Sequence, residues 1–241
     1  MGQAMFDQQV VWITGASRGI GAELARAFAA QGARLILSAP ASEQAGLAQT
    51  LAACQRLNMP GGQYRIETFD LTSTEEVEQA HGRVKASGWS VDVLVHNAGI
   101  GRFASLESTT PEDVSAQFQV NALVPLFVTR ALLPRLRQGA KVALVSSRMG
   151  SIGDNGSGGF YGYRMSKAAL NAAGVSLALD LKPRGIAVVI LHPGAVRTEM
   201  TGGQGALDPS ESAAALLQRI DELHVETTGR FLHENGSALP W

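Results

Sequence analysis

Short runs rich in Val, Ile and Leu recur along this chain: VVWI (10–13), RLILS (34–38), YRIETF (64–69), VDVLVH (91–96), KVALVS (141–146) and IAVVILH (186–192). Such runs, without regular in/out alternation, are what strands covered on both faces look like. Between them lie helical patterns: AELARAFAAQ (22–31), SEQAGLAQTLAACQRL (42–57), TSTEEVEQAHGRVKAS (72–87), PEDVSAQFQVNALVPLFVTRALLPRLRQ (111–138), RMSKAALNAAGVSLALDLK (164–182) and PSESAAALLQRIDEL (209–223). Two of these open on helix-start signals, Thr72-Ser73-Thr74-Glu75 and Thr110-Pro111-Glu112-Asp113. Strand and helix alternating in one chain predict an α/β fold, a parallel sheet with helices on both sides. No internal repeat or linker-like shift in composition interrupts the pattern, so residues 1–241 are expected to form one domain.

The charge balance narrows the partners. Basic and acidic residues number 20 and 21, net charge is −1, and no basic block or Lys/Arg-rich amphipathic segment stands out. Neither nucleic acid nor a membrane surface is expected as a partner. The lone Cys54 cannot form an internal disulfide, MGQAMFDQQVVW lacks the regions of a secretory signal, and no apolar run approaches spanning length. A cytoplasmic location is therefore expected. With no Cys/His cluster or paired-carboxylate spacing, no metal is expected.

The first strand runs into TGASRGIG (14–21), in which Gly15, Gly19 and Gly21 follow a G-x-x-x-G-x-G spacing. Glycines there allow a sharp strand-to-helix turn and a close backbone approach to a pyrophosphate, whose charge the helix N-terminus favours. A glycine-rich turn without a ligand has the same local sequence. Farther on, FYGYRMSK (160–167) holds Tyr161, Tyr163 and Lys167. Tyr163 and Lys167 share a helix face at a spacing of four, whereas Tyr161 has Met165 at that distance.

TGASRGIG, HNAG (96–99), Asn121, Ser147 and Tyr163-x-x-x-Lys167, in that order, resemble the short-chain dehydrogenase/reductase family over nearly the whole chain. The resemblance implies a Rossmann-type doubly wound domain with a seven-stranded parallel sheet, order 3-2-1-4-5-6-7. It implies cofactor contacts from Gly15, Ser17, Arg18, Gly19, Ile20 and Gly21 in the turn. Asp70 would bond the adenine amino group with Leu71 beside it, although Asp70 also suits a turn or helix cap. Asn97, Ala98 and Gly99 would line the adenosine ribose side. In HPGAVRTEM (192–200), Pro193, Gly194, Val196 and Thr198 would meet the carboxamide or pyrophosphate, and a loop over about 199–209 would cover substrate. His96 and His192, at strand ends, read as structural.

The resemblance also assigns the chemistry. Reducing a carbonyl by hydride leaves charge on oxygen, so an acid must supply a proton. Tyrosine, with an ordinary pKa of about 10, needs a nearby cation to stabilise its phenolate. Lys167 would supply that charge to Tyr163 and hold the nicotinamide ribose. Ser147 would steady the oxyanion, with Ser146 as competitor. Asn121, through its side chain or a locally opened backbone, would hold a water linking Lys167 to solvent. The second strand ends Leu37-Ser38-Ala39-Pro40 without an acid, and Arg18 stands in the turn, so NADP is expected over NAD, with Ser38 as a further donor to the 2′-phosphate.

Ser147 and Tyr163 stand several residues farther apart than is usual in the family. The extra length, GSIGDNGSGGF (150–160), and the ending GRFLHENGSALPW (229–241) are similar to the branch of C-factor signalling proteins and sniffer-type carbonyl reductases. Reduction of a small or medium apolar aldehyde or ketone is the expected direction, as in NADPH-linked relatives, and the insertion, Phe103 and the 201–209 loop suggest a partly apolar pocket. The alternative is a nucleotide-binding signalling protein in which turnover is secondary. Small residues at Ala168, Ala169, Ala172, Ala173 and Gly174 permit close helix pairing, hence a homodimer or tetramer, and would serve equally against the sheet.

Overall fold

The computed structural model describes residues 4–57 and 63–241. Its elements alternate as the sequence predicts. They are β1 (Val10–Thr14), α1 (Gly19–Ala30), β2 (Arg34–Ala39), α2 (Gln44–Gln55), β3 (Tyr64–Thr68), α3 (Thr74–Ala86), β4 (Val91–His96), α4 (Pro111–Phe118), α5 (Val124–Leu132), β5 (Leu136–Val145), α6 (Tyr161–Leu181), β6 (Ala187–His192), α7 (Pro209–Asp221) and β7 (Arg230–His233). The strands form one parallel sheet ordered β3-β2-β1-β4-β5-β6-β7.

Both faces of the sheet are covered, which explains the runs without alternation. On one face Val11, Ile13, Leu35, Leu37 and Val189 pack with Leu24 and Phe28 of α1 and Leu216 and Ile220 of α7. On the other, Trp12, Ile36, Leu94, Leu144 and Ile190 meet Val77 of α3, Val128 of α5 and Leu170 and Leu177 of α6. Fully burying side chains of this size contributes about 1.5–3 kcal/mol each. Gly174 brings α6 down onto the sheet, since a Cβ there would lie 2.6 Å from Ile190 Cγ1 and 2.8 Å from Leu144 Cδ1. This small residue therefore serves the sheet, and it sets the height at which α6 carries Tyr163 and Lys167.

Several boundaries differ from those expected, and three bear on the site. The helix read over 111–138 is α4, a π turn at Gln119–Leu123, then α5, which ends at Leu132. Pro134 has no N–H and disfavours helical geometry at the residue before it, so the chain turns and β5 begins at Leu136 rather than 141. Helix α6 starts at Tyr161, not 164, which puts both tyrosines in its first turn. The seventh strand is RFLH, a four-residue edge strand.

Candidate active site

The glycine turn lies at the C-terminal end of β1. Gly15 and Gly19 adopt φ of +66° and +54°, left-handed values that side chains resist. A Cβ at Gly21 would fall 2.1 Å from the Gly15 carbonyl oxygen, and one at Gly15 would fall 2.8 Å from Ala98 Cα. Neighbouring residues hold the turn. Asn97 Nδ2 donates to the carbonyls of Thr14 (3.2 Å) and Gly15 (3.0 Å), while Thr14 Oγ1 accepts from the amides of Asn97 (3.1 Å) and Ala98 (3.2 Å). The first turn of α1 contains no acid, so its N–H groups face an anion-compatible space. A bare cradle opening on a helix N-terminus fits a dinucleotide pyrophosphate.

Around this cradle one expectation changes and one further residue enters. Ser38 was expected to meet a 2′-phosphate, but it is fully buried. Its Oγ accepts from Trp12 Nε1 at 3.0 Å and donates to the Ile13 carbonyl at 3.3 Å, because its strand position points it into the core. Glu43, which the sequence reading passed over, occupies this neighbourhood instead. A short helical turn at Ala41–Glu43, just past Pro40, brings its carboxylate back to accept from Ser17 Oγ and to pair with Arg18 Nη1 at 3.0 Å. Arg18 Nε also pairs with Glu199 at 3.2 Å. Asp70, exposed after β3, accepts from Thr72 N (2.8 Å) and Thr72 Oγ1 (2.7 Å), the turn-forming geometry that its sequence allowed.

The segment after β6 folds back toward the cradle. Gly194 has φ +86°, and a Cβ there would meet Leu207 Cδ1 at 2.6 Å. Val196 bridges Leu207, and Thr198 Cγ2 lies 3.7 Å from the Cβ position of Gly19. The loop beyond Thr198 thus sits over the glycine turn, with the Arg18–Glu199 pair across it.

The reacting groups predicted from sequence converge at the end of β5. Ser146 is removed as competitor, since its Oγ donates to Asn171 Oδ1 at 2.6 Å inside the core. Ser147 Oγ accepts from Met149 N at 3.1 Å and stands near enough to the Tyr163 hydroxyl to lower its pKa. Lys167, one turn along α6, donates to the Val145 carbonyl at 2.9 Å, with Nζ 5.8 Å from the Tyr163 ring centroid. Tyr161 is 41% exposed and apart from this cluster.

Burial governs the titration of both groups. It pushes the Tyr163 phenol up to about 12, against a smaller lowering by neighbouring Ser147, and pulls Lys167 down to about 8. From the sequence, Lys167 is expected to lower Tyr163. Here Nζ is bonded to Val145 rather than to the phenol oxygen, and dehydration of the phenol dominates.

Asn121 lies in the π turn. Its Oδ1 accepts from Ile100 N (2.9 Å), and its Nδ2 donates to the Ile100 carbonyl (2.8 Å) and to Ser166 Oγ (3.0 Å). The side chain is committed to these three bonds, so it is not free to hold a water. Gly99 keeps this corner clear: a Cβ there would lie 3.1 Å from Asn121 Oδ1 and 3.7 Å from Lys167 Nζ. His96 is buried with Nε2 2.8 Å from Thr129 Oγ1, and His192 packs edge-on to His233 at 4.7 Å. Burial drives both His96 and His192 down to about 3, so they are neutral packing groups. No described helix is long and apolar enough to cross a membrane.

Comparison with known proteins agrees with this geometry. The family model described as short chain dehydrogenase matches residues 9–207. The chain is 49% identical over 154 residues to C-signal of Myxococcus xanthus, covering 63% of this chain and 93% of that protein. Among solved structures it is similar to the carbonyl reductase Sniffer of D. melanogaster, with TM-score 0.86 and 30% identity over 98% of this chain and 100% of that one. It is equally similar to an NADPH-bound carbonyl reductase from chicken fatty liver, with TM-score 0.86 and 28% identity over the same shares. The insertion at 150–160 and the C-terminal ending had pointed to this branch.

Proposed function

The chain belongs to the short chain dehydrogenase family, and from that premise we propose that it is an NADP(H)-dependent carbonyl reductase built as one domain over residues 1–241. That it is an NAD(P)-dependent oxidoreductase of small molecules follows from the family. The observation that carries the finer reading is the buried cluster of Ser147, Tyr163 and Lys167 beside the glycine cradle.

Gly15, Ser17, Gly19, Ile20, Gly21, Ala98, Gly99, Pro193, Gly194, Val196 and Thr198 surround the space for the dinucleotide, with Asp70 and Leu71 at its adenine end. When bound, the nicotinamide supplies the hydride. Tyr163 Oη donates its proton to the carbonyl oxygen as charge develops there. Ser147 Oγ accepts from Met149 N and, with substrate present, turns its own proton to the same oxygen. Lys167 gives one N–H to Val145 and keeps two for the ribose hydroxyls. The π-turn backbone at Asn121 holds the water through which Lys167 is reprotonated.

The NADP preference rests on Arg18, the one base in the glycine turn, and an NADPH-bound neighbour supports it. Loop 199–209 closes over substrate. Met165 and Leu179 on α6 and Phe127 on α5 are exposed apolar side chains that fit a homodimer face, which light scattering would test. Oxidation of NADPH and NADH against aldehydes, ketones and diones tests the reading. Turnover with NADPH should exceed that with NADH and disappear in Tyr163→Phe while NADPH binding persists.

A second reading is favoured by the C-signal relative: a nucleotide-binding signalling protein in which turnover is secondary. Tight NADPH binding without turnover of any carbonyl would select it.

A further inference from the structure

Phe160 is strained. It enters α6 with φ +54° and ψ 41°, left-handed values that a bulky residue adopts only when its surroundings hold it there. Gly158 and Gly159 before it also have positive φ. The restraint comes from both sides. Phe160 N donates to the Ala104 carbonyl at 3.2 Å. Arg164 clamps the preceding loop: Nε donates to the carbonyls of Gly158 (3.3 Å) and Gly159 (3.1 Å), Nη2 to Ser157 Oγ (2.9 Å) and again to Gly158 O (3.2 Å), and Nη1 to the Met149 carbonyl (3.4 Å).

The result of this restraint is a ring in a particular place. Phe160 stands edge-on to Phe103 with centroids 5.4 Å apart, and Phe103 stands edge-on to Tyr163 at 5.2 Å. Phe103 and Phe160 nevertheless remain 42% and 38% exposed. Met200, from the loop after β6, borders them: its Sδ would lie 3.2 Å from a Cβ at Gly101, beside Phe103. An aromatic row thus runs outward from the proton donor with one side unfilled. Large apolar rings held open to solvent beside a reactive hydroxyl, at the cost of backbone strain, are not accounted for by packing alone.

We propose that Phe103 and Phe160 form the recognition wall for substrate, that Arg164 is the positioning residue that holds it, and that the site selects carbonyl compounds carrying an aromatic ring. The inference rests on the reductase reading above. A carbonyl oxygen at Tyr163 Oη places its substituent against this row, where a ring gains the edge-to-face geometry that an alkyl chain lacks.

Benzaldehyde and heptanal, with equal carbon counts, separate ring recognition from plain apolarity. In the full chain with saturating NADPH, the ratio of kcat/KM for benzaldehyde over heptanal is measured in the wild type, Phe160→Gly, Phe160→Tyr, Arg164→Ala and Arg164→Lys. Glycine accepts the left-handed backbone, so Phe160→Gly relieves strain while deleting the ring. The ratio should fall about fivefold in Phe160→Gly and Arg164→Ala, chiefly through KM, and be largely retained in Phe160→Tyr. Arg164→Lys should restore part of it. Hydrogen exchange in residues 150–160 should rise in Arg164→Ala. An unchanged ratio in Phe160→Gly, with both aldehydes still reduced, overturns the wall. A ratio that falls in Phe160→Gly but not in Arg164→Ala overturns the clamp. No reduction of either aldehyde by the wild type would instead remove the reductase reading, and this inference with it.

Discussion

The pH at which Lys167 loses its proton should be visible in the kinetics. Burial lowers Lys167 from 10.5 to about 8 and raises Tyr163 from 10.0 to about 12. The sign follows for each. A depressed lysine loses its charge as pH rises through about 8, whereas the raised phenol keeps its proton across the whole accessible range. Reduction needs the phenol protonated and the ammonium charged, so only the lysine should limit the rate on the alkaline side. One proton lost at 8 leaves about a tenth of the enzyme competent at pH 9, a tenfold fall from the plateau. An unperturbed lysine would cost only about 3% at that pH. The assay is kcat/KM for NADPH from pH 7 to 9.5, which reports groups of the free enzyme, with circular dichroism at each pH to confirm folding. A single-proton break near 8 is expected. A profile level through 9.5 would refute the argument that dehydration controls Lys167, and a break below 7 would mean that another group limits the reaction.

Other perturbations are as definite. Gly21→Ala puts a methyl group 2.1 Å from the Gly15 carbonyl oxygen, backbone against backbone, and should destabilise by about 3 kcal/mol. Differential scanning calorimetry should show Tm lower by roughly 6–12 °C, together with weakened dinucleotide binding. Glu43→Gln removes the carboxylate from Arg18 and Ser17 and should tighten NADPH relative to NADH by about two- to fivefold, the scale of an exposed ion pair. Titration calorimetry that shows NADH alone weakened would instead assign Glu43 to the ribose hydroxyls. Buried His96 and His192, held down near 3, favour the neutral form in the folded state, so their contribution is present above about 6.5 and is lost as pH falls from there toward 3. Denaturant titrations should find the chain less stable at pH 5 than at pH 7 by about 2 kcal/mol per histidine, and His96→Gln should remove about half of that difference.

The central strands were legible because each is covered on both faces, so its apolar run announces burial without a partner being known, whereas the strand order came only from the family resemblance. The reaction centre was legible for a related reason. Tyr163 and Lys167 are brought together by helical spacing, which is local. What escaped the sequence was set by nonlocal geometry. The helix read through 138 continues an apolar pattern past Pro134, and only the pairing of Leu136 with Val91 makes strand of that stretch. Ser38 looked free because strand position alone does not say which face carries Trp12. Glu43 lay past the strand end where an acid was sought, and a helical turn returned it to the cradle. Nothing in the letters around Phe160 signals a left-handed phenylalanine. That conformation comes from Arg164 and the Ala104 carbonyl together.

The hydrogen bonds around the site also argue which group reacts. Asn97 holds the glycine turn, Asn121 ties Ile100 to Ser166, Ser146 is bonded to Asn171, and Ser38 is bonded to Trp12. Each of these polar side chains has a structural duty, so replacing it would disturb the frame as well as any chemistry. Lys167 is partly bound, through Val145, and Ser147 partly, through Met149. Among the described residues no backbone group bonds the Tyr163 hydroxyl, whose polar neighbour is Ser147, although its side chain is buried. A buried phenol with no backbone partner costs stability unless something else is gained from its position. Here it sits where two hydroxyls and a lysine meet a glycine-walled cradle. Loss of this oxygen in Tyr163→Phe should therefore leave unfolding unchanged or slightly delayed while removing turnover, a separation that a purely structural tyrosine would not give.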